Sequence, residues 1–362
     1  MKRLFVLVLA FAMLFVFIGC TPATVETPEE APKEEPTTAP VQEPAEEPAE
    51  EPEPEAKSFV LNYSILEPNE HPQGICMLSF AEKVEELSGG QIKVNTHPSG
   101  SLFTQEGMVT ALMEGDLDIG NIAFQDISPY LPSAAMFAAP YAFTSYEHME
   151  KVFESEIADK FFEHVFETCN YLPIGYMCQG SRIINCKSET PIMTPEDMKG
   201  MILRMPNAPS WIDAGQSLGA SVTPIAYAET YTALQTGVVE AQDNPLPGTY
   251  AMKFYEVTKQ ISLTKHIIDV KLISVSRKVW EQMTDQQKQW MIEAAEYGGQ
   301  QANAATYAQE QELLTFMKEE AGMIITEPDI DAFQAHSYQY YLDKGLTADW
   351  DMDMYNAIQE LK

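Results

Sequence analysis

The chain has 362 residues and a formal net charge of −32, from 54 acidic against 22 basic residues. This acid excess argues against nucleic acid as a partner, while 45% hydrophobic residues supply enough apolar material for sizeable cores. Its six histidines are scattered, and His-Glu-x-x-His does not occur, so no zinc site is indicated.

At the start, Lys2-Arg3 leads into an apolar run from Leu4 to Ile18 and then Gly19-Cys20. The run is shorter than the ~20 residues of a spanning helix and reads as the apolar centre of a secretory signal. Phe17-Ile18-Gly19-Cys20 looks like a bacterial lipobox, with Phe17 where Leu is usual, which predicts a lipoprotein signal peptide over 1–19 and lipid on Cys20. Residues 21–57 hold nine prolines and twelve glutamates against Lys33 and Lys57. Such a segment cannot bury apolar surface, so 20–57 is expected to be a solvated, semi-rigid linker between lipid and folded domain.

From Ser58 to Lys362 the chain carries 42 acidic and 18 basic residues, with no second low-complexity break. A strand is expected at Phe59 to Ile65, then a polar loop from Glu67 to Pro72 and a helix near Ile75 to Leu87, stopped by Ser88-Gly89-Gly90. A strand from Gln91 to Thr96, a helix near Gln105 to Glu114 and an apolar run from Leu117 to Ala123 follow. Next come a helix at Ser145 to Glu167, strands at Leu172 to Met177 and Met201 to Met205, and a helix near Ser210 to Leu218. The alternation predicts an α/β arrangement with largely parallel sheets. The longest periodic segment runs from Thr284 to about Glu320, opened by the capping-box pattern Thr284-Asp285-Gln286-Gln287. Unbroken it would reach ~50 Å and bridge two lobes; Gly298-Gly299 in its middle is expected to bend or break it.

Cys76, Cys169, Cys178 and Cys186 permit disulfides in an exported protein, and free buried thiols equally; spacing does not choose. Arginine is more telling, because the folded part contains only Arg182, Arg204 and Arg277. Arg277 precedes Lys278 at the start of a helical stretch and reads as a solvated or capping charge. Arg182 and Arg204 sit in the apolar, strand-like segments Gly180-Ser181-Arg182-Ile183-Ile184 and Met201-Ile202-Leu203-Arg204-Met205. A guanidinium there needs a planar anionic partner, either an internal carboxylate or a bound acid.

The segment from Met198-Lys199-Gly200-Met201 through Arg204-Met205-Pro206-Asn207, Gly219-Ala220, Thr223-Pro224, Glu229-Thr230-Tyr231 and Val239-Glu240-Ala241-Gln242-Asp243-Asn244-Pro245 resembles the DctP-type binding proteins of TRAP (tripartite ATP-independent periplasmic) transporters. Ser88-Gly89-Gly90-Gln91-Ile92-Lys93-Val94, Gly115-Asp116-Leu117-Asp118-Ile119-Gly120 and Ala139-Pro140-Tyr141-Ala142-Phe143 look like landmarks of the same family, in order. The resemblance implies an α/β, two-lobed periplasmic-binding-protein-like fold with a ligand cleft between the lobes and a long lobe-bridging helix. We place lobe I at 58–179 and 270–309, and lobe II at 180–269 and 310–362. It also implies an extracytoplasmic receptor, at the cell surface or in the periplasm, that captures a small organic acid and passes it to integral membrane subunits. Arg204 would form the salt bridge to the ligand carboxylate, Arg182 a second basic contact, Asn244 an amide for ligand and arginine alike, and Tyr227 an aromatic wall. Glu67, Asn69, His71 and Trp211 are further candidates for the cleft. Asp243-Asn244 stands where cation-assisted keto-acid binders tend to carry Glu-Trp, so no metal or cofactor is expected. No acid stands at Ala123-Phe124, which counts against sialic acid.

Two other outputs are kept. The same fold could signal to a membrane kinase. Alternatively, Ser262-Leu263-Thr264-Lys265 has the Ser-x-x-Lys spacing of penicillin-recognising acyltransferases, without their companion motifs, so an enzyme is not expected.

Overall fold

The computed structural model describes residues 57–362; the expected signal peptide, Cys20 and nearly all of the linker lie outside the described residues. The first strands are β1 (Phe59–Ser64), β2 (Ile92–His97), β3 (Ile119–Ala123), β4 (Tyr171–Ser181), β5 (Ile183–Cys186) and β6 (Ile202–Met205). The remainder are β7 (Ser221–Pro224), β8 (Ala241–Asn244), β9 (Gln260–Ser262), β10 (Ile268–Ser276) and β11 (Ile324–Thr326). They build two sheets, one ordered β2-β1-β3-β10-β4 and one ordered β11-β9-β5-β8-β6-β7.

The sheets are mixed, where largely parallel ones were expected: among the described strands five pairings are parallel and four antiparallel. All four antiparallel pairings belong to β5 or β10. Each of these strands arrives directly from the other sheet and not through a helical crossover, so nothing forces it parallel to its neighbours. Arg182 is the residue between β4 and β5, at one crossing, and its N–H donates to the Ile267 carbonyl on the return crossing at 2.8 Å.

Local signals explain most helix ends. Thr104 caps the helix Gln105–Glu114 by accepting from the Gly107 N–H, and Gly115 closes it in the left-handed conformation. The single helix expected from Ser145 to Glu167 is two, Tyr146–Phe153 and Glu156–Cys169, because Ser155 caps a new start by accepting from the Ile157 N–H.

The long helix Asp285–Glu319 is unbroken over 35 residues, with the Thr284–Gln287 capping box in place. Gly298 and Gly299 do not break it; they let it lie against the helix Pro72–Leu87 and against β4. A Cβ on Gly298 would stand 2.8 Å from the Cys76 carbonyl oxygen, and one on Gly299 2.2 Å from that of Tyr176. Gly299→Ala should therefore lower stability by about 1–3 kcal/mol, overpacking outweighing the gain in helix propensity. Urea denaturation should show a lower midpoint at unchanged slope; an unchanged midpoint would contradict close packing as the reason for glycine.

Cores line both faces of the first sheet, around Phe80, Met77 and Ile273 on one side and Phe124, Phe137 and Phe161 on the other. The second sheet packs Leu203, Met205 and Phe333 on one face and Ile261, Leu246 and Met317 on the other. The lobe boundaries near 180, 270 and 310 remain a proposal, with one amendment. Trp350 and Ile358 are buried among lobe I residues, so the segment after about Leu346 is better placed in lobe I than with the rest of 310–362. All four described cysteines are buried and free. Burial raises their thiol pKa values, to about 12 for Cys76 and about 11 for Cys169 and Cys186.

Candidate functional site

Strand β6 pairs in parallel with β7 and β8, which sets Arg204 opposite Thr223 and Gln242. Its side chain is 1% exposed. Nε donates to the Ile225 carbonyl at 2.8 Å, while Nη1 and Nη2 have no partner. Burial, the largest influence, lowers its pKa to about 10; Asp243 pulls upward and Arg182 pushes down, leaving the group cationic at neutral pH. A buried cation with two idle donor groups is unfavourable unless an anion completes it.

Arg182, 2% exposed, has the opposite surroundings. Nε donates to Asp243 Oδ2 at 2.6 Å, and Nη2 donates to Asp243 Oδ1 at 2.9 Å and to the Asp243 carbonyl at 2.7 Å. Nη1 donates to Asp269. Its Cζ lies 4.5 Å from the centre of the Trp211 ring. Burial would lower its pKa, but Asp243 and Asp269 outweigh burial and hold it above the ordinary value. Asp243 is held below the usual carboxylate range by Arg182 and His266 in spite of burial. Arg182 borders the cavity, yet its fork is committed to internal carboxylates, contrary to the expectation of a second ligand clamp. Asn244 also differs in detail: Oδ1 accepts from Arg182 at 3.3 Å and Nδ2 donates to Gln242 at 2.7 Å, so Arg204 is oriented by the Ile225 carbonyl and not by this amide.

Both arginines border a small cavity between the sheets. Glu67, Gln73, Gln105, Gln179 and Lys271 contribute from one side, and Arg204, Pro206, Trp211, Tyr227 and Asn244 from the other. Glu67 is 4% exposed and its Oε2 has no partner. Burial raises its pKa to about 7, against the pull of Tyr227 and Lys271. The Tyr227 hydroxyl faces this carboxyl without a well-formed hydrogen bond, and the Tyr227 ring centre lies 5.8 Å from the Arg204 Cζ. Trp211 donates its indole N–H to Asp126 at 3.1 Å, so it packs and lines the cavity at once.

The other two candidates lie elsewhere. Asn69 is exposed. His71 caps the helix Pro72–Leu87, its Nδ1 accepting from the Gln73 N–H at 3.1 Å, and burial lowers its pKa to about 3. Sequence reasoning missed Lys271 and the three glutamines. Lys271 had a signal: with Asp269 it places two charges at alternate positions of an otherwise uncharged, wholly buried strand, and Nζ lies 3.4 Å from Asp269. The glutamines sit on elements whose polar residues look ordinary. The Ser-x-x-Lys pair has no nucleophile geometry: Ser262 is buried and its hydroxyl donates to the Ile192 carbonyl at 3.0 Å.

Residues 63–344 match the family described as bacterial extracellular solute-binding protein, family 7, DctP. The chain is 34% identical over 255 residues to the sialic acid-binding periplasmic protein of Vibrio cholerae, covering 70% of this chain and 78% of that one. A TRAP periplasmic solute-binding protein from Roseobacter denitrificans, crystallised with 3-deoxy-D-manno-oct-2-ulosonic acid, superposes with a TM-score of 0.80 at 33% identity, over 84% of this chain and all of that one. One from Chromohalobacter salexigens with bound D-glucuronate gives 0.77 at 26% identity, over 83% of this chain and 100% of that one. With the family matched across the whole two-sheet body and the cavity between the sheets, the chain belongs to family 7 of the bacterial extracellular solute-binding proteins, the DctP-type receptors of TRAP transporters.

Proposed function

We propose that this chain captures a small sugar acid outside the cytoplasm and delivers it to the membrane subunits of a TRAP transporter, with Arg204 gripping the ligand carboxylate. The observation that carries this reading is the Arg204 head group, enclosed, cationic and without a partner on Nη1 or Nη2. A carboxylate fits that fork with two parallel hydrogen bonds, and the enclosed setting strengthens the pair relative to water. Larger hollows lie beside Trp350 and beside Tyr146, but neither is lined by an arginine. The ligands named for the Roseobacter and Chromohalobacter proteins each join one carboxylate to a hydroxylated body, which supports the same class here. Lipid on Cys20 and the acidic linker would hold the receptor at the outer face of the membrane.

A thermal-shift comparison of D-glucuronate, 3-deoxy-D-manno-oct-2-ulosonic acid and D-glucose tests the reading. At least one sugar acid should raise Tm by several degrees at millimolar concentration while glucose leaves it unmoved. Equal stabilisation by glucose, or none by any carboxylate, would overturn it.

A further inference from the structure

Four polar groups facing this one cavity lack partners: Nη1 and Nη2 of Arg204, the Tyr227 hydroxyl and Oε2 of Glu67. Native structures rarely leave so many buried polar atoms idle in one place, and together they describe the ligand by its complement. Arg204 offers only donors and calls for acceptors. An ionised Glu67 offers only acceptors and calls for a donor. Tyr227 takes either role.

Three ligand chemistries can be set against that pattern. A dicarboxylate satisfies Arg204 but brings a second set of acceptors, and a second negative charge, to Glu67. An ammonium group brings donors, but Lys271, whose positive charge acts on Glu67, would oppose it there. A hydroxyl can donate to Glu67 and accept from Tyr227 at the same position, and it carries no charge for Lys271 to repel. Amides stand on the same wall: Gln73 donates to Gln179 at 2.7 Å and Gln179 to Asp269 at 2.6 Å, which fixes both side chains.

Resting on the receptor reading above, we infer that Glu67 is the specificity-determining residue of this site. With Tyr227 it forms a subsite that accepts a ligand hydroxyl and turns away a second carboxylate, while Lys271 on the same wall turns away an ammonium group. Arg204 sets that the ligand is an acid; Glu67 sets what stands at the far end. A buried acid opposite a carboxylate clamp selects by repulsion as much as by attraction.

The test is calorimetric titration at pH 8, above the Glu67 pKa of about 7, with acids that differ only at C6. D-Gluconate and D-galactonate end in a hydroxyl, D-glucarate and galactarate in a carboxylate, and 6-amino-6-deoxy-D-gluconate in an ammonium group. The protein should bind at least one aldonate about 10-fold or more tightly than the matched aldarate and amino acid. Glu67→Gln, which keeps the shape and removes the charge, should cut that preference for aldonate over aldarate to within about 3-fold, chiefly by tighter aldarate binding. Equal affinity of the unsubstituted protein for aldonate and aldarate, or an undiminished preference in Glu67→Gln, overturns the inference. Arg204→Ala separates the two levels: aldonate binding that survives it overturns the carboxylate-clamp reading, whereas its loss alongside an unchanged Glu67→Gln preference overturns only the role of Glu67. An absence of binding by every acid in the set overturns the hydroxyl subsite, and overturns the clamp as well if D-glucuronate and 3-deoxy-D-manno-oct-2-ulosonic acid also fail to bind.

Discussion

Replacing Arg204 with alanine should weaken capture of the ligand by about 30-fold or more, while leaving the ligand-free protein as stable as before or more so. In the free protein the guanidinium is already enclosed, held by one bond to the Ile225 carbonyl and idle at both terminal nitrogens. Removing it deletes an unpaired buried charge, a change that relieves the fold. In the complex the same deletion leaves the ligand carboxylate without its partner in a low-dielectric site, a loss of about 2–5 kcal/mol. Arg204→Lys should recover only part of the affinity, since an ammonium keeps the charge but loses the planar fork. Calorimetry for affinity, with a melting curve of the ligand-free protein, reads both halves. Affinity retained in Arg204→Ala would refute the clamp, and a large drop in ligand-free Tm would show that Arg204 also supports the fold.

The two arginines looked alike in the sequence, and their difference shows what can and cannot be read there. Each stands alone in an apolar segment of an acidic domain, and that isolation correctly marks both as buried charges in need of partners. The partner of Arg182 is set by Asp243 and Asp269, 61 and 87 residues further on. Only the two crossings between the sheets bring them together. Nearby order was more legible. The Thr104 cap, the Gly115 stop and the Thr284–Gln287 box lie within a turn of the bonds they make, and the helices they bound were expected at nearly their observed limits. Gly298 and Gly299 mislead because a glycine pair has two uses, and only the carbonyls of Cys76 and Tyr176 decide between breaking a helix and admitting a neighbour. Glu67 stood among polar loop residues with nothing to separate it from Asn69 and His71. Its burial opposite Tyr227 depends on how the loop after β1 folds against the other lobe.

Replacing Arg182 with alanine should have the opposite consequence for the fold: a loss of about 3–5 kcal/mol at neutral pH, a large share of the roughly 5–15 kcal/mol that holds a domain folded. Asp243 and Asp269 are almost wholly buried; Arg182 keeps Asp243 charged, and Lys271 together with Arg182 keeps Asp269 charged. Lys271, 3.4 Å from Asp269, supports that acid, and His266, 3.3 Å from Asp243, gives a hydrogen bond but no full charge while burial keeps its pKa low. The pH dependence carries the sharper test. In the unsubstituted protein the pKa values of Asp243 and Asp269 lie below those of the unfolded chain, so both favour folding above the ordinary carboxylate range, and that contribution is lost only as pH falls through the depressed values. Without Arg182, burial acts on Asp243 against the His266 hydrogen bond alone, and as the largest influence it raises the pKa above the unfolded value. Folding then has to bind a proton or bury a bare charge, and stability falls as pH rises past the ordinary carboxylate range. The deficit of Arg182→Ala in urea denaturation should therefore be greatest near pH 8 and shrink by pH 5. A deficit equal at both pH values would show that packing against Trp211, and not charge, accounts for the loss. Asp243→Asn in the same background should narrow the pH 8 gap, because it removes the charge that Arg182 was there to balance.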